Sequence, residues 1–147
     1  MRKFVACALI AALAFALSAC TLFAPAGTDS MDSDRYQLSY TGKTLTVKLV
    51  ENQSTGWLWH LSADNDNIVL VDDDYMRGGG LVAPSGQGGT HTYHFEGASE
   101  GTTTITFENY RNYEPDNVSA VLLIAVEINS DGSIKSAAFD SVTHQDA

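Results

Sequence analysis

The stretch "ENQSTGWLWH", Glu51 to His60, sets a run of small polar residues directly against two tryptophans spaced two apart. Trp57, Trp59 and Leu61 follow the two-residue period of a strand, so all three should face the same way. Upstream of the polar run, Leu45, Val47 and Leu49 alternate with Thr44, Thr46 and Lys48, the mark of a half-buried strand. Two strands joined by a compact polar loop with a heavy aromatic anchor is a β reading, and the rest of the chain extends it.

Further strand candidates are Ile68 to Val71, His91 to Glu96, Thr102 to Glu108 and Ser119 to Ile128, rich in Val, Ile, Thr and aromatics and separated by Gly, Asn and Asp clusters. Long helical patterns are absent from the sequence, and no internal repeat occurs. "SDGS" at Ser130 to Ser133 reads as a tight turn, after which "IKSAAFDSV" adds one weak edge strand before a frayed terminus. About seven or eight short strands without a βαβ rhythm predict an all-β fold, an antiparallel sandwich with its loops clustered at two ends.

The amino terminus has a different character. Arg2 and Lys3 precede an apolar run from Phe4 to Leu17 that reaches "LSAC", ending at Cys20. The run is too short for a spanning helix and has the layout of a secretory signal, and its small residues before a cysteine resemble a bacterial lipobox. The sequence therefore predicts a signal peptide over residues 1–19, lipidation of Cys20, a tether rich in Pro, Gly, Ser and Asp over residues 20–34, and one domain over residues 35–147. Cys7 leaves with the signal, so no disulfide is expected and the domain holds by packing alone. Thr21 after the cysteine, in place of aspartate, favours an outer-membrane anchor in a cell with two membranes.

Removing residues 1–19 takes away two positive charges and no negative ones, so the formal net charge of -10 becomes -12. Nucleic acid is an improbable partner for such a chain. The acids at Asp64/Asp66, Asp72 to Asp74, Glu96/Glu100 and Glu114/Asp116 are spread as solvated surface is, and the three aspartates after the Ile68 strand read as loop. A basic partner is permitted by this charge and not implied by it.

Residues for catalysis are lacking. The serines lie in polar turns, no Gly-x-Ser-x-Gly elbow occurs, and no cysteine remains for a nucleophile. His91 and His94, three apart on a strand, point to opposite faces, and His60 and His144 have no neighbours at ligand spacing, so all four histidines read as surface residues. "DNDN", Asp64 to Asn67, lacks the glycine and closing glutamate of a calcium loop and reads as a polar turn. Neither a metal nor any other cofactor is expected, and an enzyme is not.

Two more loops share the character of the first. "PSGQGGTHTYHF", Pro84 to Phe95, places Gly86, Gln87, Gly88 and Gly89 before a strand, and "ENYRNYEPDN", Glu108 to Asn117, is an aromatic and arginine loop between two strong strands. The order resembles the chagasin-like inhibitors of papain-like cysteine proteases. Their signatures are Asn-Pro-Thr-Thr-Gly before aromatic-x-Trp, then Gly-x-Gly-Gly, then Arg-Pro-Trp or Arg-Pro-Phe. The corresponding residues are Asn52, Gln53, Ser54, Thr55 and Gly56 with Trp57 and Trp59, then Gly86 to Gly89, then Arg111, Asn112 and Tyr113. The resemblance runs from about Tyr36 to Ile128.

It implies an immunoglobulin-like sandwich whose three loops share one end and enter a protease cleft, the first over the catalytic cysteine and histidine and the others clasping either side. A narrow thiolate-imidazolium groove admits small hydrogen-bonding groups such as Ser54 and Thr55 and little bulk. Gly86, Gly88 and Gly89 would allow close backbone approach, and Arg111 and Tyr113 are residue types enriched at interface hot spots. Trp59 is expected in the core, whereas Trp57 suits either core or contact. Two departures stand out: Gln53 replaces proline, leaving the free loop more flexible, and Asn112 and Tyr113 replace proline and tryptophan, with Pro115 nearby to restore stiffness.

The partners expected are papain-like cysteine proteases and a membrane reached through the lipid, with a monomer as the default state. An alternative is an immunoglobulin-like binding or adhesion module of the envelope, in which Trp57 and Tyr113 stack on a sugar or peptide. A hydrolase of unrecognised type is a further rival, weakened by the absent nucleophile and base.

Overall fold

The computed structural model describes residues 24–31, 35–78 and 86–144. Among the described residues nine strands make two antiparallel sheets: β1 (Ala26–Met31), β2 (Tyr36–Thr41), β3 (Thr44–Glu51), β4 (Trp57–Ala63), β5 (Ile68–Arg77), β6 (Gly89–Gly97), β7 (Gly101–Arg111), β8 (Ala120–Ile128) and β9 (Ile134–His144). One sheet runs β1-β2-β3-β6-β5 and the other β4-β7-β8-β9. This is the all-β antiparallel sandwich that the alternating patterns predicted, immunoglobulin-like as the resemblance implied, with more strands than the seven or eight expected.

The core lies between the sheets. Leu45, Val47 and Leu49 of β3 and Tyr93 and Phe95 of β6 face Trp59 of β4, Ile105 and Phe107 of β7 and Leu122 and Ile124 of β8. The Phe95 and Phe107 rings meet edge-on with centroids 6.4 Å apart, and Tyr93 lies 4.9 Å from Phe107. Period-two patterning decides this outcome, since every second residue of β3, β6, β7 and β8 reaches the same apolar layer.

Three segments differ from expectation. Ala26–Met31, assigned to the tether, is strand β1, paired along β2 from Ala26 with Thr41 to Met31 with Tyr36. The leader, Cys20 and residues 32–34 lie outside the described residues. β1 is short and polar because it sits at a sheet edge, where its backbone bonds, rather than buried side chains, hold it. The carboxyl-terminal segment is no weak strand: β9 pairs along all of β8, buries Ile134, Ala137 and Phe139, and its Phe139 N–H donates to Asp29 Oδ2 of β1 at 2.9 Å. β1 and β9 thus join the two sheets along one side. Asp72 to Asp74 belong to β5 rather than to a loop. An irregularity between Leu70 and Asp72 leaves Val71 56% exposed, and charged side chains are common on such an edge strand.

The register fixes where the loops go. Glu51, the last residue of β3, is level with Gly89, the first of β6, which is level with Arg77, the last of β5. In the other sheet Trp57 pairs with Arg111 and Asn109 with Ala120. The β3–β4, β5–β6 and β7–β8 connections therefore leave the sandwich from one end. The turns at Gly42, Asp64 to Asn67, Ala98 to Glu100 and Asn129 to Ser133 occupy the other.

Candidate functional site

The first connection, residues 52–56, is a single turn of 3-10 helix over Gln53–Thr55. Thr55 N–H donates to Asn52 O and Gly56 N–H to Gln53 O, each at 3.1 Å. Asn52 organises the turn from below: its Oδ1 accepts from Ser54 Oγ at 2.7 Å, and its backbone oxygen accepts from Thr55 Oγ1 at 2.7 Å. Gly56 ends the turn at φ 80°, the left-handed conformation that costs a side-chain-bearing residue most. Gln53, Ser54 and Thr55 are exposed at the tip, so the residues with hydrogen-bonding side chains form the apex.

The second connection meets the first directly. Asn52 Nδ2 donates to Gly86 O at 2.9 Å, and Gly86 itself has φ 90°. Gly88 lies so close to the first loop that a Cβ there would stand 2.9 Å from Glu51 O, and a Cβ on Gly89 would overlap Met76 O. The sequence reads these glycines as permitting close approach to an enzyme. At Gly88 and Gly89 the chain's own backbone already takes up that space. Gln87 is exposed, and Gly79 to Ser85 lie outside the described residues.

The third connection is shorter than the sequence implied, because β7 continues through Arg111. Glu114 N–H donates back to Arg111 O at 2.8 Å, and Ser119 closes the loop base through Asn109 O and Oδ1. The Arg111 guanidinium stands over the Trp57 ring at 4.7 Å and near the Tyr113 ring at 5.8 Å, with Glu114 Oε2 3.5 Å from Nη1. Tyr113 reaches back toward Gly56 and remains 69% exposed, whereas Asn112 is an exposed turn residue. Trp57 is half-buried beneath Arg111, and Trp59 is core at 7% exposure, edge-on to Tyr36 at 5.5 Å. The residues named from sequence on all three loops are thus gathered at one end, joined by Asn52 to Gly86 and by Arg111 to Trp57.

Sequence reading missed what lies underneath. Glu51 is buried at the end of β3, its Oε2 accepting from the Trp59 N–H at 2.9 Å, while Oε1 has no partner among the described residues. His91 stands beside it, with Nδ1 3.4 Å from Glu51 Oε2 and 3.0 Å from the Tyr93 hydroxyl, and Nε2 2.7 Å from Asp73 Oδ2. The imidazole is stacked on Tyr93 at 4.2 Å and is no surface histidine. Burial, with the Glu51 and Asp73 carboxylates nearby, pushes the Tyr93 phenol well above its ordinary range. A signal for this cluster was present: Glu51 continues the inward phase of Leu45, Val47 and Leu49, and a carboxylate at a core position requires a partner. The other histidines differ. His94 points to the opposite face and bonds Thr46, and His60 is stacked on Tyr110 at 3.6 Å.

The arrangement is a set of three loops braced against one another at one end of the sandwich. No curated protein sequence matches the chain. The crystal structure of a cysteine protease inhibitor from Entamoeba histolytica is similar at 23% identity over 51% of this chain and 68% of that one, with a TM-score of 0.45. The profile described as "Chagasin family peptidase inhibitor I42" matches residues 40–126, a span that contains all three loops. The chain belongs to the chagasin family of peptidase inhibitors, and is an inhibitor rather than an enzyme.

Proposed function

We propose that the protein is a reversible, tight-binding inhibitor of papain-like cysteine proteases that fills the active-site cleft with its three loops and undergoes no covalent chemistry. The observation that carries this reading is the joining of the three loop motifs at one end of a sandwich whose family is inhibitory. Ser54, Thr55 and Gly56 form the centre of the wedge. Asn52 shapes its base and Gln53 stands beside it at the tip, Gly86, Gln87, Gly88 and Gly89 flank it on one side, and Trp57, Arg111, Asn112 and Tyr113 on the other. A braced loop loses little conformational entropy when a protease closes on it, so affinity comes from fit rather than from new order.

The sugar- or peptide-stacking alternative draws less support from the same residues. Arg111 already covers Trp57, so the two rings do not make a pair of bare platforms. Anchoring is the second part of the proposal: lipidation at Cys20 would hold the domain at the cell envelope, at the outer membrane where there are two. Labelled palmitate incorporated by the full chain and lost in Cys20→Ser is the expected result; equal labelling of both would remove the anchor.

The deciding experiment titrates active papain with residues 20–147, following hydrolysis of a fluorogenic peptide. Near-stoichiometric loss of activity at sub-micromolar inhibitor, with the inhibitor recovered intact, is expected. A folded sample that leaves papain and a cathepsin L-type enzyme fully active would overturn the assignment.

A further inference from the structure

The buried cluster beneath the loops has no place in a description of the contact surface. On the reading that this end of the sandwich meets a protease, we propose that His91 is the positioning residue that couples the roots of the first and second loops, and that its charged form holds them. The geometry is specific. Glu51 ends β3 and leads into the first loop, Asp73 lies on β5, which leads into the second, and His91 stands between them on β6 with one ring nitrogen toward each. The titratable groups facing the ring are Glu51 from β3, Asp73 and Tyr75 from β5, and Tyr93 from β6, while β4 presents only backbone groups of Trp59. Because the two carboxylates lie on opposite ring nitrogens, no single ion could be held by all three side chains.

The hydrogen-bond roles follow from donor count. Asp73 accepts, so Nε2 carries a proton in either charge state. In the imidazolium, Nδ1–H also donates, to the Tyr93 oxygen or Glu51 Oε2, and the Tyr93 O–H is free to donate to Trp59 O, 3.5 Å away. Trp59 is then held through both backbone groups, its N–H by Glu51 and its carbonyl by Tyr93. In neutral imidazole Nδ1 is an acceptor. The Tyr93 O–H turns to it and releases Trp59 O, and Glu51 Oε2 faces a lone pair instead of a proton. One proton on Nδ1 thus decides how firmly the strand leaving the first loop is fixed, and binding that depends on a preformed loop follows it. A proton on a ring nitrogen is gained or lost with pH, which makes the coupling accessible to measurement.

The test compares residues 20–147, which contain every described strand, with His91→Gln at pH 5 and pH 8, using the ratio of their papain inhibition constants so that the enzyme's own pH dependence cancels. The wild-type advantage is expected to be about tenfold at pH 5 and to shrink to about twofold at pH 8, a gap that charge-assisted bonding can supply. A ratio that does not change with pH overturns the proposal. Asp73→Asn, altered at a half-exposed carboxylate, gives the same comparison should His91→Gln fail to fold. A second readout needs no protease: the Trp59 backbone amide shift should titrate in step with the His91 ring nitrogens. If papain is untouched at both pH values the inhibitor reading fails, and the amide decides the inference alone; a Trp59 amide that does not follow His91 overturns it.

Discussion

The Trp59 N–H donates to Glu51 Oε2 at 2.9 Å, across the first loop and between the two sheets. The Trp59 indole N–H adds a second bond, to Val50 O at 3.0 Å. The polar tip between them is therefore braced at its base by one buried carboxylate and one buried indole. Glu51→Ala leaves the Trp59 N–H without its acceptor in a dry environment, and a loss of about 2 kcal/mol in urea unfolding is expected. Glu51→Gln keeps an oxygen in place and should lose visibly less.

Asn52 links two loops and contributes little to the core. Asn52→Ala removes its bonds to Gly86 O and Ser54 Oγ, both at exposed positions, so stability should change by less than about 1 kcal/mol. Protease binding should suffer more, chiefly as faster dissociation in surface plasmon resonance. An unchanged off-rate would show that the Asn52 to Gly86 link does not serve binding.

At Gly56 the difficulty for a side chain is backbone strain rather than space, since a Cβ would lie 3.6 Å from the Tyr113 ring at φ 80°. Gly56→Ala should cost about 1 kcal/mol of stability by thermal denaturation. Thr55→Arg acts differently: its fold should be intact, and its inhibition constant should rise steeply because the cleft has no room for the added bulk.

Tyr93 has a raised folded-state pKa, so its contribution to stability is complete below the unfolded value of 10.0 and is lost as the pH rises above it toward the folded one. In a spectrophotometric titration of the folded protein up to about pH 11, Tyr93→Phe should show the same tyrosinate signal as wild type. A signal smaller by one tyrosine would mean that the phenol ionises in place.

Asp131 shifts the other way. Its carboxyl is lowered below 3.8 chiefly by the Ser133 hydroxyl, which donates at 2.6 Å, and by the Ser133 N–H at 2.9 Å, in the turn where Gly132 has φ 82°. A depressed folded pKa stabilises above the unfolded value and is lost as the pH falls through the folded one. Asp131→Asn should thus melt below wild type at pH 7, and the difference should close in acid, below the unfolded value.

The shape of the first loop was legible because hairpin and loop chemistry is local. Gly56 at the sharp return and Trp59 in the core sit where a few adjacent residues placed them, and the strands beside them declare themselves by a two-residue period. β1 was not legible, since a polar edge strand is held by backbone pairing that leaves no apolar pattern. Asp72 to Asp74 misled for a related reason: side chains on an open edge strand stay in water, so acids there look like loop.

The sequence by itself determined the sandwich and the order of three loops along it, because alternation and turn residues act over short distances. Only the tertiary structure decided that Glu51, His91 and Asp73, distant in the chain, meet in one partly buried cluster, and that Arg111 covers Trp57. Strand register brings such residues together, and register is set by the whole set of facing pairs rather than by any one segment.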